Sequence, residues 1–182
     1  AIRRQRQMCI RDRHNTKRLI TSIKWVIFSI VVGIVAGSCG TAFYFALSVV
    51  TDFRMKYPWL IYFLPIGGLA IVGLYHLCKD DNDTGTNLVI SAIHSGDKVP
   101  FIMAPLIFVS TLITHLFGGS AGREGAALQM GGSIGSSIGR VFRFDEKDKH
   151  VMIMCGMSAA FSALFGTPMA AAIFSMEMIS VG

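Results

Sequence analysis

The sequence predicts an all-α membrane protein that mixes full spans with short or broken helices. Three observations carry this prediction. The first is composition: 52% of the 182 residues are hydrophobic, only 15% are charged, and mean hydropathy is +0.55. A soluble domain carries roughly a quarter charged residues. The second is charge placement. No Asp, Glu, Lys or Arg occurs in residues 25–51, 57–78, 99–122 or 150–176, stretches of 27, 22, 24 and 27 residues. About 20 mostly apolar residues suffice to cross a bilayer. The third is interruption: glycines, prolines and an ionisable pair break the apolar sequence. Broken helices at membrane depth are tolerated only when buried in protein or lining a cavity, and they mark transport sites. These features exclude a secreted disulfide scaffold, a disordered chain and an ordinary soluble enzyme. They point to a transporter or channel rather than a simple anchor.

The elements follow in order. Residues 1–13 carry Arg3, Arg4, Arg6, Arg11 and Arg13 against Asp12, most of the chain's net charge of +6. This opening resembles translated sequencing adapter, so it is expected to be a non-native or disordered basic tail. The domain proper is expected over residues 14–182, truncated at its C-terminus. A first span is predicted over residues 23–50. Lys17, Arg18 and Lys24 before it place the N-terminus in the cytoplasm by the positive-inside rule. Gly33 and Gly37 form a small-xxx-small pair suited to close helix approach. A polar break over residues 52–57 precedes Pro58 and a second span ending near Cys78, with a kink or local adjustment expected at Pro65.

An acidic, turn-prone stretch, residues 80–85, leads into a segment over 86–94 that is too short to span. Asp97, Lys98 and Pro100 open a third expected span ending near Phe117. The Gly-rich residues 118–139 follow, and a charged loop over 140–149 precedes a helix over 151–165. Gly166-Thr167-Pro168 ends that helix and starts another. Cys9, Cys39, Cys78 and Cys155 show no metal-ligand spacing and read as free packing residues. No cofactor or metal is implied, and no basic face with interleaved aromatics supports nucleic-acid binding.

The segment that carries chemistry is Gly118-Gly119-Ser120-Ala121-Gly122-Arg123-Glu124-Gly125-Ala126-Ala127-Leu128-Gln129-Met130-Gly131-Gly132. An ionisable pair bounded by apolar sequence is costly in a membrane and marks a functional site. The flanking glycines let backbone come close to whatever is bound. After Glu124 the pattern becomes helical, with Gly131, Gly135 and Gly139 at four-residue spacing for tight packing. Glu124 is therefore expected at a helix N-terminus, where unbonded N–H groups and the helix dipole favour an anion. Those N–H groups can hold either a permeating anion or the Glu124 carboxylate, and protonating Glu124 would release the site. The plainer alternative is a structural Arg123–Glu124 pair in a membrane-edge loop. Gly85-Thr86-Asn87 offers a second helix start that could face the same anion, or simply cap an interfacial helix.

These motifs resemble the CLC chloride channel and anion/proton antiporter family. The match is Gly122-Arg123-Glu124-Gly125 followed by Gln129-Met130-Gly131-Gly132, similar to the family's GREGP…Q-x-G-G signature, and it continues through Phe174-Ser175-Met176-Glu177-Met178. The resemblance implies the first inverted repeat of a CLC-type transporter, with tilted spans, a second repeat elsewhere and a homodimer when full length. It implies transport of chloride or fluoride across the plasma (inner) membrane, coupled to protons, with the lipid bilayer as the other partner. By the resemblance Glu124 is the gating and proton-coupling residue, and Gly85, Thr86, Asn87, Gly122, Arg123, Gly125 and Ala126 form the anion site. Thr86-Asn87 departs from the chloride-type GSGIP and looks like the fluoride/proton antiporter branch. Ala126 replaces the family's Pro. The internal proton-transfer glutamate aligns with Met178, leaving Glu177 one residue earlier as the candidate second proton site.

Two alternatives to coupled transport are a passive chloride channel and an intramembrane serine hydrolase. The hydrolase pattern G-x-S-x-G occurs around Ser120 and again around Ser133, but a nucleophile elbow needs a preceding strand. His76 and His115, near the ends of apolar runs, read as hydrogen-bonded interfacial residues, and His94 and His150 as solvated ones. The chain is thus expected to be a transporter or channel and not an enzyme.

Overall fold

The computed structural model describes the backbone of residues 2–78 and 100–180, and side chains over 21–78 and 100–178. Among the described residues the regular elements are helical: α1 (Ile2–Lys56), a 3-10 helix (Pro58–Phe63), α2 (Leu64–Leu77), α3 (Met103–Leu116), α4 (Arg123–Val141), α5 (Glu146–Phe165) and α6 (Pro168–Ser180). Gly85, Thr86, Asn87, His94 and the short segment around them lie outside the described residues.

The chain divides into two units, residues 1–31 and 32–182. In the first, Lys24 Nζ lies 6.0 Å from the Trp25 ring centre and 5.9 Å from that of Phe28, a cation resting on aromatic faces. Ile23, Val26, Ile27 and Ile30 around it are exposed.

In the second unit α1 buries a stripe of Val32, Ala36, Gly40, Phe43 and Leu47, spaced three or four residues apart as one helix face requires. Phe43 meets Phe108 of α3 at 5.4 Å between ring centres. The close approach that Gly33 and Gly37 allow is not made among the described residues, where a Cβ at either would meet nothing within 4 Å. Gly40 makes it instead. A Cβ there would lie 2.9 Å from the Ala160 carbonyl oxygen and 3.1 Å from Ala163 Cβ of α5.

The polar break expected over residues 52–57 is helix as far as Lys56. Arg54 and Lys56 fall in the last turn, where cations complement the negative end of the dipole and so extend the helix rather than end it. Pro58 starts the 3-10 helix. Pro65 stands at an N-terminal position of α2, where its missing N–H costs nothing, so the adjustment there is a change from 3-10 to α.

Thr21–Lys56 and Pro58–Leu77 are both long and apolar enough to cross a membrane. The second is nearly bare: Gly67 is its one buried residue. The third expected span is shorter than anticipated. Residues 100–102 form a turn, and the 14 residues of α3 rise only about 21 Å, below the ~30 Å hydrocarbon thickness.

At the centre lies α4, whose residues 126–136 are buried without a gap. A helix contacted on every side can carry only small side chains where neighbours come close, which accounts for its Gly, Ala and Ser content. It packs most extensively on α5, then on α3. The charged loop after it is shorter than predicted. α4 runs to Val141 and α5 begins at Glu146, with Glu146 and Asp148 in its first turn, where acidic groups suit the positive helix end. Gly166, left-handed at φ 70°, closes α5, and Pro168 opens α6.

Candidate functional site

The site begins where α3 ends. The N–H of Gly118 donates to the His115 carbonyl at 3.1 Å and that of Gly119 to the Thr114 carbonyl at 2.8 Å. This is the paired bonding of a Schellman motif, which needs a left-handed residue at its first turn-out position. Gly118 fills it at φ 83°. Tight packing adds a second reason for glycine here. A Cβ on Gly118 would sit 2.8 Å from Nε and 3.1 Å from Nη2 of Arg54, in the last turn of α1. A Cβ on Gly119 would sit 2.7 Å from Thr114 Cγ2 and 3.2 Å from Leu64 Cδ1.

The chain then leaves in extended form, with Gly122 at φ −67° and ψ 120°, and α4 starts at Arg123. Among the described residues no side chain caps this helix. At the starts of α5 and α6, Lys149 N–H donates to Asp145 O and Ala171 N–H to Thr167 O. Among the described residues, no corresponding bond joins Ala126 to Gly122. The first turn of α4 therefore presents N–H groups without a protein acceptor among the described residues, at the positive end of a 19-residue helix.

Glu124 is the acidic residue of that turn, and both it and Arg123 are exposed. As adjacent helical residues they point to different faces. Among the described residues neither makes a salt bridge, so the structural Arg123–Glu124 pair is absent there. Gly125 is half-buried and Ala126 is buried, which carries the site directly into the packed part of α4.

That packing is backbone on backbone. A Cβ on Gly131 would collide with the Gly156 carbonyl, one on Gly135 with the Met152 carbonyl, and one on Gly156 with the Gly131 carbonyl. Gly139 is looser: its nearest contact would be Lys149 Cγ at 3.4 Å. Ser133 Oγ donates to the Pro100 carbonyl at 2.8 Å, tying the middle of α4 to the approach to α3. The site thus stands on a rigid element, with an uncapped first turn at its tip.

Five predicted site residues, Gly122, Arg123, Glu124, Gly125 and Ala126, are brought together in one helical turn. Gly85, Thr86 and Asn87 are outside the described residues. Glu177 and Met178 lie on α6. Met178 packs against the apolar cluster of Leu128, Ile153 and Met157, whereas Glu177 is exposed. Only Glu177 has a group able to carry a proton. Ser120 is exposed in a connection preceded by helix α3 rather than a strand, and Ser133 lies within α4. Neither therefore occupies a strand–turn–helix elbow. His115 Nδ1 lies 2.9 Å from the Thr111 carbonyl, as an interfacial hydrogen-bonded residue would. His150, expected to be solvated, is half-buried with Nε2 out of reach of water, because its segment belongs to α5. Arg54 was not legible as part of this neighbourhood; its sole sequence signal is a cation just past a charge-free run.

Comparison with known proteins gives consistent matches. Residues 67–181 match the family model described as voltage gated chloride channel. A chloride/fluoride channel protein of Pseudomonas syringae pv. tomato is 41% identical over 160 residues, covering 87% of this chain and 35% of that protein. An H(+)/Cl(-) exchange transporter, ClcA of Vibrio campbellii, is 27% identical, covering 86% of this chain and 37% of its own length. Among solved structures, a CLC-type fluoride/proton antiporter superposes with TM-score 0.77 at 41% identity, covering 83% of this chain and 38% of that one. A slow cyanobacterial Cl-/H+ antiporter superposes with TM-score 0.67 at 22% identity, covering 85% and 45%, and supports the fold alone. The chain spans between 35% and 45% of the length of these relatives.

Proposed function

This chain belongs to the voltage-gated chloride channel family, and we propose that it supplies one half of an anion pathway in which Glu124 couples proton movement to anion movement. The observation that carries this reading is the uncapped first turn of α4. Its N–H groups have no protein acceptor among the described residues, and a carboxylate stands within the same turn. A small anion and ionised Glu124 compete for the same positive helix end. A proton on Glu124 removes one competitor, so the site alternates between anion and carboxylate. In that cycle Gly122, Arg123, Gly125 and Ala126 shape the anion site, and Gly85, Thr86 and Asn87 are proposed to contribute to it. Glu177 is the ionisable candidate for a second proton site.

The full-length parent is proposed to be a multi-pass homodimer of the plasma (inner) membrane with its N-terminus cytoplasmic, and residues 14–182 to be the first of its two repeats. The 41% identity to a protein described as a CLC-type fluoride/proton antiporter supports fluoride as the transported anion, ahead of chloride. A second reading, passive conduction, is favoured by the name of the Pseudomonas syringae relative, a channel protein.

Liposomes containing the full-length parent distinguish the two. An imposed fluoride or chloride gradient is expected to drive protons uphill; anion leak without proton movement overturns coupling. Substituting Thr86 or Asn87 is expected to change the ratio of fluoride to chloride flux, and an unchanged ratio removes that segment from selectivity.

A further inference from the structure

Arg54 stands outside the helix that carries Glu124, yet it touches the connection leading to it. Its guanidinium lies so close to Gly118 that any side chain there would press on Nε and Nη2. Gly118 and Gly119 form the end of α3, whose last carbonyls carry partial negative charge. A half-buried cation against that end is held by the dipole and by packing together. Residues 120–122 follow with no backbone hydrogen bond of their own among those described. Their course is therefore set by their two fixed ends: α4, locked on α5, and Gly118, against which Arg54 is packed.

We propose that Arg54 is a positioning residue for Glu124, acting through residues 118–122; the proposal rests on the coupling role given to Glu124 above. Arg54 holds Gly118 in its left-handed turn, and this fixes where the extended Gly122 delivers the chain into the first turn of α4. The guanidinium meets the Gly118 position through Nε, Cζ and Nη2 together, a breadth of contact that a lysine ammonium on a flexible stem does not reproduce.

The test uses the full-length parent in nanodiscs and in liposomes, with Arg54→Gln and Arg54→Lys. Hydrogen exchange at the Gly118 and Gly119 amides, which donate to the His115 and Thr114 carbonyls, is expected to accelerate in both variants, while residues 131–139 on the α5-facing part of α4 stay protected. The rate of proton transfer through Glu124 is expected to fall about tenfold, the scale of a displacement under 1 Å at a reacting group, and the protons moved per anion to fall with it. Anion flux itself should persist. Unchanged exchange at Gly118 and Gly119 overturns the proposal whether or not the parent couples protons, because that readout does not depend on transport. A lysine variant matching the parent in both measurements also overturns it, since charge alone would then suffice.

Discussion

Gly131 of α4 and Gly156 of α5 face each other so closely that a Cβ on either would strike the other's carbonyl. Gly131 would also come within 2.8 Å of Ala160 Cβ. Neither helix can shift freely, because α4 is buried from residue 126 to 136. Gly131→Ala and Gly156→Ala are therefore expected to destabilise the full-length protein by about 1–3 kcal/mol, the usual cost of overpacking. Gly33→Ala meets nothing within 4 Å and replaces a poor helix former, so it should be neutral or gain up to about 1 kcal/mol. Thermal unfolding in detergent, followed by size-exclusion recovery, checks both. Equal midpoints for Gly131→Ala and Gly33→Ala would contradict the packing.

A second prediction concerns Gly118. Its φ of 83° costs a side-chain-bearing residue about 1–2 kcal/mol, and the Arg54 guanidinium adds a collision. Gly118→Ala should lower stability mainly through that strain, with a smaller addition from the displaced guanidinium, which sits at the end of a flexible side chain. In an Arg54→Ala background the same substitution should cost less, since the collision is gone and only strain remains. A double-mutant cycle on thermal midpoints measures the difference; strict additivity would mean the two residues do not interact.

These two sites illustrate what was legible before the structure. The all-helical class followed from long charge-free runs, and the helix start at Glu124 from an ionisable pair set among glycines. Both are local signals. The close approach at Gly40 rather than at Gly33 and Gly37 was not legible, because a small-residue pattern says where approach is possible and not which neighbour arrives. The helix through Asp52 is not legible, because Asp52, Arg54 and Lys56 together have the pattern of a polar break, whereas cations in a last turn support the helix. The place of Arg54 is not legible, because its contact with Gly118 joins segments far apart in sequence. Gly85, Thr86 and Asn87 were singled out by motif alone.

Arg143 gives a third prediction. α4 ends in a Schellman motif, with Arg143 N–H donating to the Arg140 carbonyl and Phe144 N–H to the Gly139 carbonyl, both at 3.0 Å. That geometry puts Arg143 in the left-handed region at φ 53°, where glycine is the favoured residue. Arg143 is exposed, so its replacement removes no buried contact. Arg143→Gly is expected to leave transport unchanged and to raise stability by up to about 1 kcal/mol, within the ordinary cost of that conformation. A lower thermal midpoint would show that the arginine side chain contributes more than its backbone strain removes.

The fourth prediction is Glu124→Gln. The amide keeps the size of the carboxylate but can neither ionise nor carry a transferable proton at ordinary pH. It cannot compete as an anion for the first-turn N–H groups of α4, so the site stays open to the permeating ion. Proton movement against an anion gradient should be abolished in liposomes, while anion flux continues and loses its dependence on external pH. Glu177→Gln provides the contrast. Glu177 is exposed on α6, a helix distinct from α4, so its substitution should slow coupled proton flux without opening the anion pathway. If Glu124→Gln retained the parent's ratio of protons to anions, the coupling role would leave Glu124. The uncapped turn would then serve as an anion site only.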